Sequence, residues 1–195
     1  MFFINPCAAG CGRPAISGSN LCFTHHANPE QEYLRICSCI AENKTIKDLI
    51  LSGVHFVNID FSDRHLYGCN FKEASFSGCN FSGVKMRMNF FDFSSFANCD
   101  FAKSDIQFLS FAGTDFKDCK FTGSEIEHVN FEGAVIINTS FNNSNLYNSR
   151  FISADLTKSS FVNCNLKRVY FASAKHDHID FKSSNTAEAV FETEE

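Results

Sequence analysis

Cys69-Asn70-Phe71-Lys72-Glu73-Ala74-Ser75-Phe76-Ser77-Gly78-Cys79-Asn80-Phe81-Ser82-Gly83 is the stretch that decides the fold. Phe recurs at every fifth residue, and a small residue stands two positions before it. Neither the 3.6-residue period of a helix nor the two-residue period of a strand produces this spacing. Working outward, the frame runs unbroken from Phe56 to Phe181 as 26 units. Seventeen centres are Phe, eight are Leu, Ile or Met, and one is His176. A fixed repeat over this distance marks a solenoid.

The composition follows from the frame. The chain has 195 residues, 24 of them Phe and only nine Leu, with no Trp. At 44% hydrophobic it is too apolar for a disordered chain. No apolar run approaches the ~18 residues of a membrane helix, and no basic segment followed by an apolar one reads as a secretory signal. The formal charge of −5 indicates neither a polybasic nucleic-acid binder nor a strongly acidic protein.

The small positions include Val54, Cys69, Ala74, Cys79, Val84, Cys99, Thr114, Cys119, Ala154 and Cys164. Residues two apart on an extended segment share a side, so the small residue and the centre both point inward. Asn or Asp often stands between them, as at Asp60, Asn70, Asn80, Asp100 and Asp155; these residues favour turns.

With small residue, Asn/Asp, Phe/Leu and two polar positions in order, the sequence resembles the pentapeptide-repeat family. Cys79-Asn80-Phe81-Ser82-Gly83 and Ala154-Asp155-Leu156-Thr157-Lys158 show the motif. The resemblance covers roughly residues 49–183. It implies an all-β fold: a right-handed, four-sided parallel β-helix with one pentapeptide per face. The residues test the four-sided claim. At a period of 20, Phe61, Phe81, Phe101, Phe121, Phe141, Phe161 and Phe181 form one column. Phe71 to Phe171 form the opposite one, also pure Phe. Leu66, Met86, Ile106, Ile126, Leu146 and Leu166 form a third without any Phe. Such segregation requires period 20, not merely period five. About 6.5 coils at ~4.8 Å each make a rod on the order of 31 Å long.

The expected layout is a zinc-binding module over 1–28, a capping helix region over 29–53, the β-helix over 54–184 and a C-terminal cap over 185–195. Pro29, Glu30 and Glu32 mark a helix start, with the helix at about 30–42. At the other end, Asn185 and Glu188 resemble a capping box. A short helix there would place Val190 and Phe191 over the last coil or serve a homodimer through the C-terminal end.

Cys7, Cys11, Cys22 and His25 are spaced C-x3-C-x10-C-x2-H. Three thiolates and an imidazole complete a tetrahedral structural zinc site with no open position for catalysis. The segment Cys7 to His26 resembles a small zinc-knuckle module with the pattern C-x3-C-x-R-P … L-C-x-x-H. That pattern usually continues with Tyr, where this chain has His26, so His25 and His26 are alternative ligands. Cys69, Cys79, Cys99, Cys119 and Cys164 read as small hydrophobes in the core. Unpaired thiols point to the cytoplasm.

The repeats carry no insertion, hence no projecting loop to hold converging catalytic groups. A non-enzymatic protein–protein interaction scaffold is the reading that follows. The family resemblance implies an alternative, a DNA-mimic that binds topoisomerase (gyrase) in quinolone resistance. Residues 54–185 carry 14 acidic and 13 basic side chains, a net of −1, which is unlike DNA. A zinc-module nucleic-acid binder is a further alternative, but only Arg13 and Arg35 lie near the ligands. Met88, Phe90, Phe93 and Phe108 fall outside the core frame. Met88, Phe90 and Phe108 share one corner at period 20, which makes the group a partner patch.

Overall fold

The computed structural model describes residues 4–192. The first three residues of the 1–28 module and the last three residues of the 185–195 cap lie outside the described residues. The chain winds as a parallel solenoid of about seven coils. Twenty-residue pairing is direct: Leu66 lies beside Met86 and Phe56 beside Phe76. One face is a sheet of five strands, centred on Ile46, Leu66, Met86, Ile106 and Ile126. Another has seven strands, centred on Phe56, Phe76, Phe96, Phe116, Ile136, Leu156 and His176. Single-residue bridges such as Ile50 to Asn70 and Asp60 to Asn80 line the two faces between.

Each corner has a local cause. The residue two after every core centre takes a left-handed backbone, as at Asn58 (φ 54°), Asp63 (φ 53°) and Gly83 (φ 65°). Asn, Asp and Gly tolerate this conformation best. The Asp or Asn before the centre bonds the backbone two residues on: Asp60 Oδ1 accepts from the Ser62 N–H at 2.9 Å.

The core is a ladder of rings. Phe61 and Phe81 stack at 4.5 Å and 5°, and Phe71 and Phe91 at 4.9 Å and 3°. Rings of adjacent columns meet edge-on, as Phe56 and Phe61 do at 79°. Burying each ring stabilises by about 1.5–3 kcal/mol, and each favourable ring pair adds about 0.5–1.5 kcal/mol. The small inward residues stitch coils together. Ser124 Oγ donates to Phe101 O at 2.8 Å and accepts from the Ser104 N–H at 3.1 Å. Cys79 Sγ donates to Phe56 O at 3.6 Å in the same way. Burial pushes the Cys69 thiol up to about 11, so it stays protonated and inert.

Both ends of the solenoid lie beyond the expected limits. Helix α1 spans Pro29–Glu42, capped by Asn28, whose side chain accepts from the Gln31 N–H at 3.1 Å. Ile36 and Ile40 on α1 seal the open end of the core. The ladder then begins at strand β1, Thr45–Lys47, which pairs with His65–Tyr67. The segment before Val54 is therefore the first part of the solenoid itself. At the far end, Thr186–Glu188 forms a 3-10 turn in place of the expected helix. The reason is that Asn185 Oδ1 accepts from the Leu166 N–H of the coil before, at 2.6 Å, leaving no cap for a helix. Val190 bridges Tyr170, and Phe191 stacks on Phe171 at 5.1 Å, extending that column by one more ring. Among the described residues, no helix is long and apolar enough to cross a membrane.

Candidate functional site

The N-terminal module is built from turns. Gly10 and Gly12 take φ of 73° and 78°. The Gly10 N–H bonds Cys7 O at 2.9 Å, and the Cys7 N–H bonds Arg13 O at 2.9 Å. This loop presents Cys7 and Cys11. A 3-10 turn at Phe23–His25 brings His25 back beside Cys22. The three sulfurs and His25 Nδ1 all lie within 4.8 Å of one another and could hold a metal ion. Cys7 Sγ and Cys22 Sγ are 3.6 and 3.5 Å from His25 Nδ1, and Cys11 Sγ is 3.7 Å from Cys22 Sγ. A tetrahedral ion with ~2.3 Å bonds to sulfur and ~2.05 Å to nitrogen requires edges of ~3.8 and ~3.6 Å. These three of the six edges fit tetrahedral coordination, and the cluster could hold a metal ion.

The electrostatics agree. The Cys7 thiol is pushed down to about 6, chiefly by the Cys22 main-chain N–H, with help from Ala9 and His25. Burial pushes the Cys22 thiol up, and the neighbouring Cys7 and Cys11 sulfurs push the same way. A cation among the sulfurs removes that conflict, because metal ligation deprotonates thiols. Of the two histidines left open by the sequence, His25 enters the cluster. His26 turns toward α1, with Nε2 3.8 Å from Glu32 Oε2. The module is tied to the solenoid. The Ser17 N–H donates to Ile50 O at 2.9 Å, and the Ile50 N–H donates to Ser17 Oγ at 2.8 Å. Arg35 of α1 reaches Ser17 O at 2.7 Å and pairs with buried Glu32.

Met88, Phe93 and Phe108 occupy corners of two adjacent coils, and Phe90 lies on a face, bridged to Asn70 and Ser110. Met88 is 64% exposed, Phe93 70%, Phe108 55% and Phe90 38%. Met88, Phe93 and Phe108 all take the left-handed corner conformation, with φ of 54°, 57° and 54°. Large side chains are disfavoured there relative to Gly or Asn. The rings are nonetheless well seated. Phe108 stacks on His128 at 4.8 Å and 16°. The Phe93 ring covers Gly113, where a Cβ would come within 2.7 Å of it. Phe90 lies under Lys72 Nζ, 5.5 Å from its ring centre. The sequence reveals the residues as leftovers of the repeat; it does not reveal their shared backbone conformation.

A family described as a pentapeptide repeat region matches residues 49–131 and 124–195. No curated protein matches the chain. Among solved structures, the chain is similar to a trypsin-treated form of QnrB1, a plasmid-mediated fluoroquinolone resistance protein. Identity is 20% and the TM-score 0.39, over 73% of this chain and 81% of that one. It is also similar to HetL, involved in heterocyst differentiation regulation in the cyanobacterium Nostoc sp. strain PCC 7120. There identity is 12% and the TM-score 0.37, over 83% and 96% of the two chains. A pentapeptide repeat protein of the Arabidopsis thaliana thylakoid lumen is 23% identical, with a TM-score of 0.28, over 58% and 61%. The family match spans the five-residue frame from before Phe56 to beyond Phe181, and the chain belongs to the pentapeptide-repeat family.

Proposed function

We propose that the chain is a non-enzymatic scaffold of the cytoplasm that contacts a protein partner through apolar side chains on two neighbouring corners of its rod. The observation that carries this reading is the placement of Met88, Phe93 and Phe108. Each is a large apolar side chain, mostly exposed, at a corner whose backbone favours Gly or Asn. Folding does not ask for such residues there, and exposed apolar side chains gathered on two adjacent coils suit a contact site. Zinc in the Cys7, Cys11, Cys22 and His25 cluster belongs to the same reading, as a structural ion that fixes the N-terminal cap. A homodimer through the C-terminal end is compatible with the half-buried Phe181 and Phe191 there.

The test compares wild type with a Met88→Glu, Phe93→Glu, Phe108→Glu variant in affinity capture from the native cell. The three side chains face solvent, so the variant keeps the fold by circular dichroism. A protein held by wild type and lost by the variant supports the reading. Identical capture by both sinks it. Metal analysis of the purified chain tests the ion: one zinc per chain is expected, and none if the cluster is only buried thiols.

A further inference from the structure

The net charge of the repeats hides a polarity along the rod. Residues 54–133 carry 11 acidic and seven basic side chains, whereas residues 134–185 carry three acidic and six basic. Two of the basic ones continue the corner that holds Phe108. Phe108, His128, Asn148 and Arg168 stand one coil apart in that corner, with φ of 54°, 55°, 55° and 57°. Phe108 stacks on His128, and the Tyr147 ring meets His128 edge-on at 5.7 Å. Arg168 Nη1 donates to Tyr147 Oη at 3.2 Å, so contact runs unbroken from Phe108 to Arg168. Arg150 lies on the adjoining face, in a shallow hollow with Asn148, Ile152 and Tyr170. Arg150 and Arg168 are exposed, and neither has a carboxylate in ion-pair range among the described residues. The acids nearest them are otherwise engaged: Glu127 accepts from Asn145 Nδ2 at 2.7 Å, and Glu188 lies 3.9 Å from Lys167.

The strip therefore has an apolar end at Phe93 and Phe108, 70% and 55% exposed, and a basic end at Arg150 and Arg168. Three coils separate Phe108 from Arg168, or ~14 Å at ~4.8 Å per coil. The face between is floored by the short side chains of Ser110, Ala112 and Asn130, so a chain can lie along it. We infer that this strip docks an acidic segment of a protein partner, with apolar side chains on Phe93 and Phe108 and carboxylates on Arg150 and Arg168. Charge complementarity selects the carboxylates, because an arginine without an acid of its own is open to charge-assisted hydrogen bonds. The apolar end selects a polypeptide. Glu73 stands one coil before Phe93 in the same corner, within the acidic half of the rod. A nucleic acid is charged along its whole length and is repelled there. A polypeptide changes from apolar to acidic along its length. This inference rests on the scaffold reading, since it requires a protein partner, and adds the chemistry of that partner.

The experiment titrates the isotope-labelled, zinc-loaded full chain with N-acetyl-Leu-Phe-Ser-Gly-Ser-Gly-Asp-Glu-Asp-amide, whose spacer reaches ~14 Å. The comparison probes are the same peptide ending in Asn-Gln-Asn, the same peptide beginning with Ser-Ser, and a short oligothymidylate. Saturable amide shifts at Phe93, Phe108, Arg150 and Arg168 are expected with the first peptide. Binding of both altered peptides should be at least about tenfold weaker. Arg150→Glu with Arg168→Glu should weaken the first peptide about tenfold or more, in a chain whose fold circular dichroism shows unchanged. Absence of saturable shifts, shifts confined to one end of the strip, or equal binding by the Asn-Gln-Asn peptide overturns the proposal. Tighter binding of the oligothymidylate overturns it in favour of a nucleic acid. A cellular partner lost with Met88→Glu, Phe93→Glu and Phe108→Glu but held fully by the double arginine variant sinks the acidic segment and leaves the scaffold reading standing.

Discussion

Asn89 stands where the repeat puts a small inward residue, and it is fully buried. In the sequence it looks like a fault in the pattern. In the structure it performs the stitching that Ser and Thr perform elsewhere. Its Oδ1 accepts from the Cys69 N–H at 2.8 Å, and its Nδ2 donates to Leu66 O at 2.8 Å. Substitution by Ala leaves both main-chain groups buried and unpaired, at about 1–3 kcal/mol each. Asn89→Ala should therefore destabilise by about 2–6 kcal/mol in denaturant unfolding. Asn89→Ser should cost less, because Ser124 makes the same pair of bonds in its own slot. Equal losses for the two variants would contradict this account. The core centres were legible because one residue type repeats in one frame. The role of Asn89 was not, because a hydrogen-bonding pattern shared by Asn, Ser and Cys leaves no single-residue signature. Phe93 makes the related point at Gly113. Gly113→Val brings a Cβ against the Phe93 ring and strains a backbone at φ 62°. A loss of about 1–3 kcal/mol is expected by the same measurement.

At the scale of elements, the N-terminal module acts on the solenoid through few contacts. Ser17 pairs with Ile50, and Ile16 joins the core beneath α1. In a solenoid each coil touches only its neighbours, so loosening the module should stay local. Chelation should raise amide exchange at Cys7, Ser17 and Ile50 while Phe141 and Phe161 keep their protection. Uniform loss of protection, or no change anywhere, would contradict a metal-fixed cap. The pH dependence has a definite sign. The Cys7 thiol is depressed to about 6, so its thiolate favours the folded module. That contribution is full above the ordinary thiol range and is lost as pH falls through about 6. Protons also compete with the metal for sulfur. Metal release to a chromophoric indicator should therefore increase as pH falls and be absent at pH 8. The ligand spacing was legible as a cluster, but the choice of His25 was not, because His26 is adjacent and its turn toward Glu32 depends on where α1 lies. The ladder's true start was partly legible. Ile46 and Leu51 fit the five-residue frame of Phe56, yet without Phe they do not stand out from helix-like Ile and Leu.

The whole molecule is a rod whose surface charge decides between two uses. About seven coils at ~4.8 Å give a length of about 34 Å. Duplex DNA of that length carries about 20 negative charges. Residues 54–185 carry a net of −1. Several acidic side chains are also paired: Asp92 with Lys72, and Asp105 with Arg87 at 2.7 Å. A protein that displaces DNA by imitation must offer a comparable negative field, since phosphate charge supplies much of DNA's affinity for its partners. The rod offers none. Purified chain should leave gyrase supercoiling unaffected at micromolar concentration, both in low salt and at physiological ionic strength. Low salt is the stringent arm, because screening there is weakest and any electrostatic mimicry is at its strongest. Inhibition that appears in low salt and fades as salt rises would restore the mimic and displace the scaffold. Inhibition insensitive to salt would instead place a gyrase contact on an apolar surface, and Met88→Glu, Phe93→Glu and Phe108→Glu together should then abolish it.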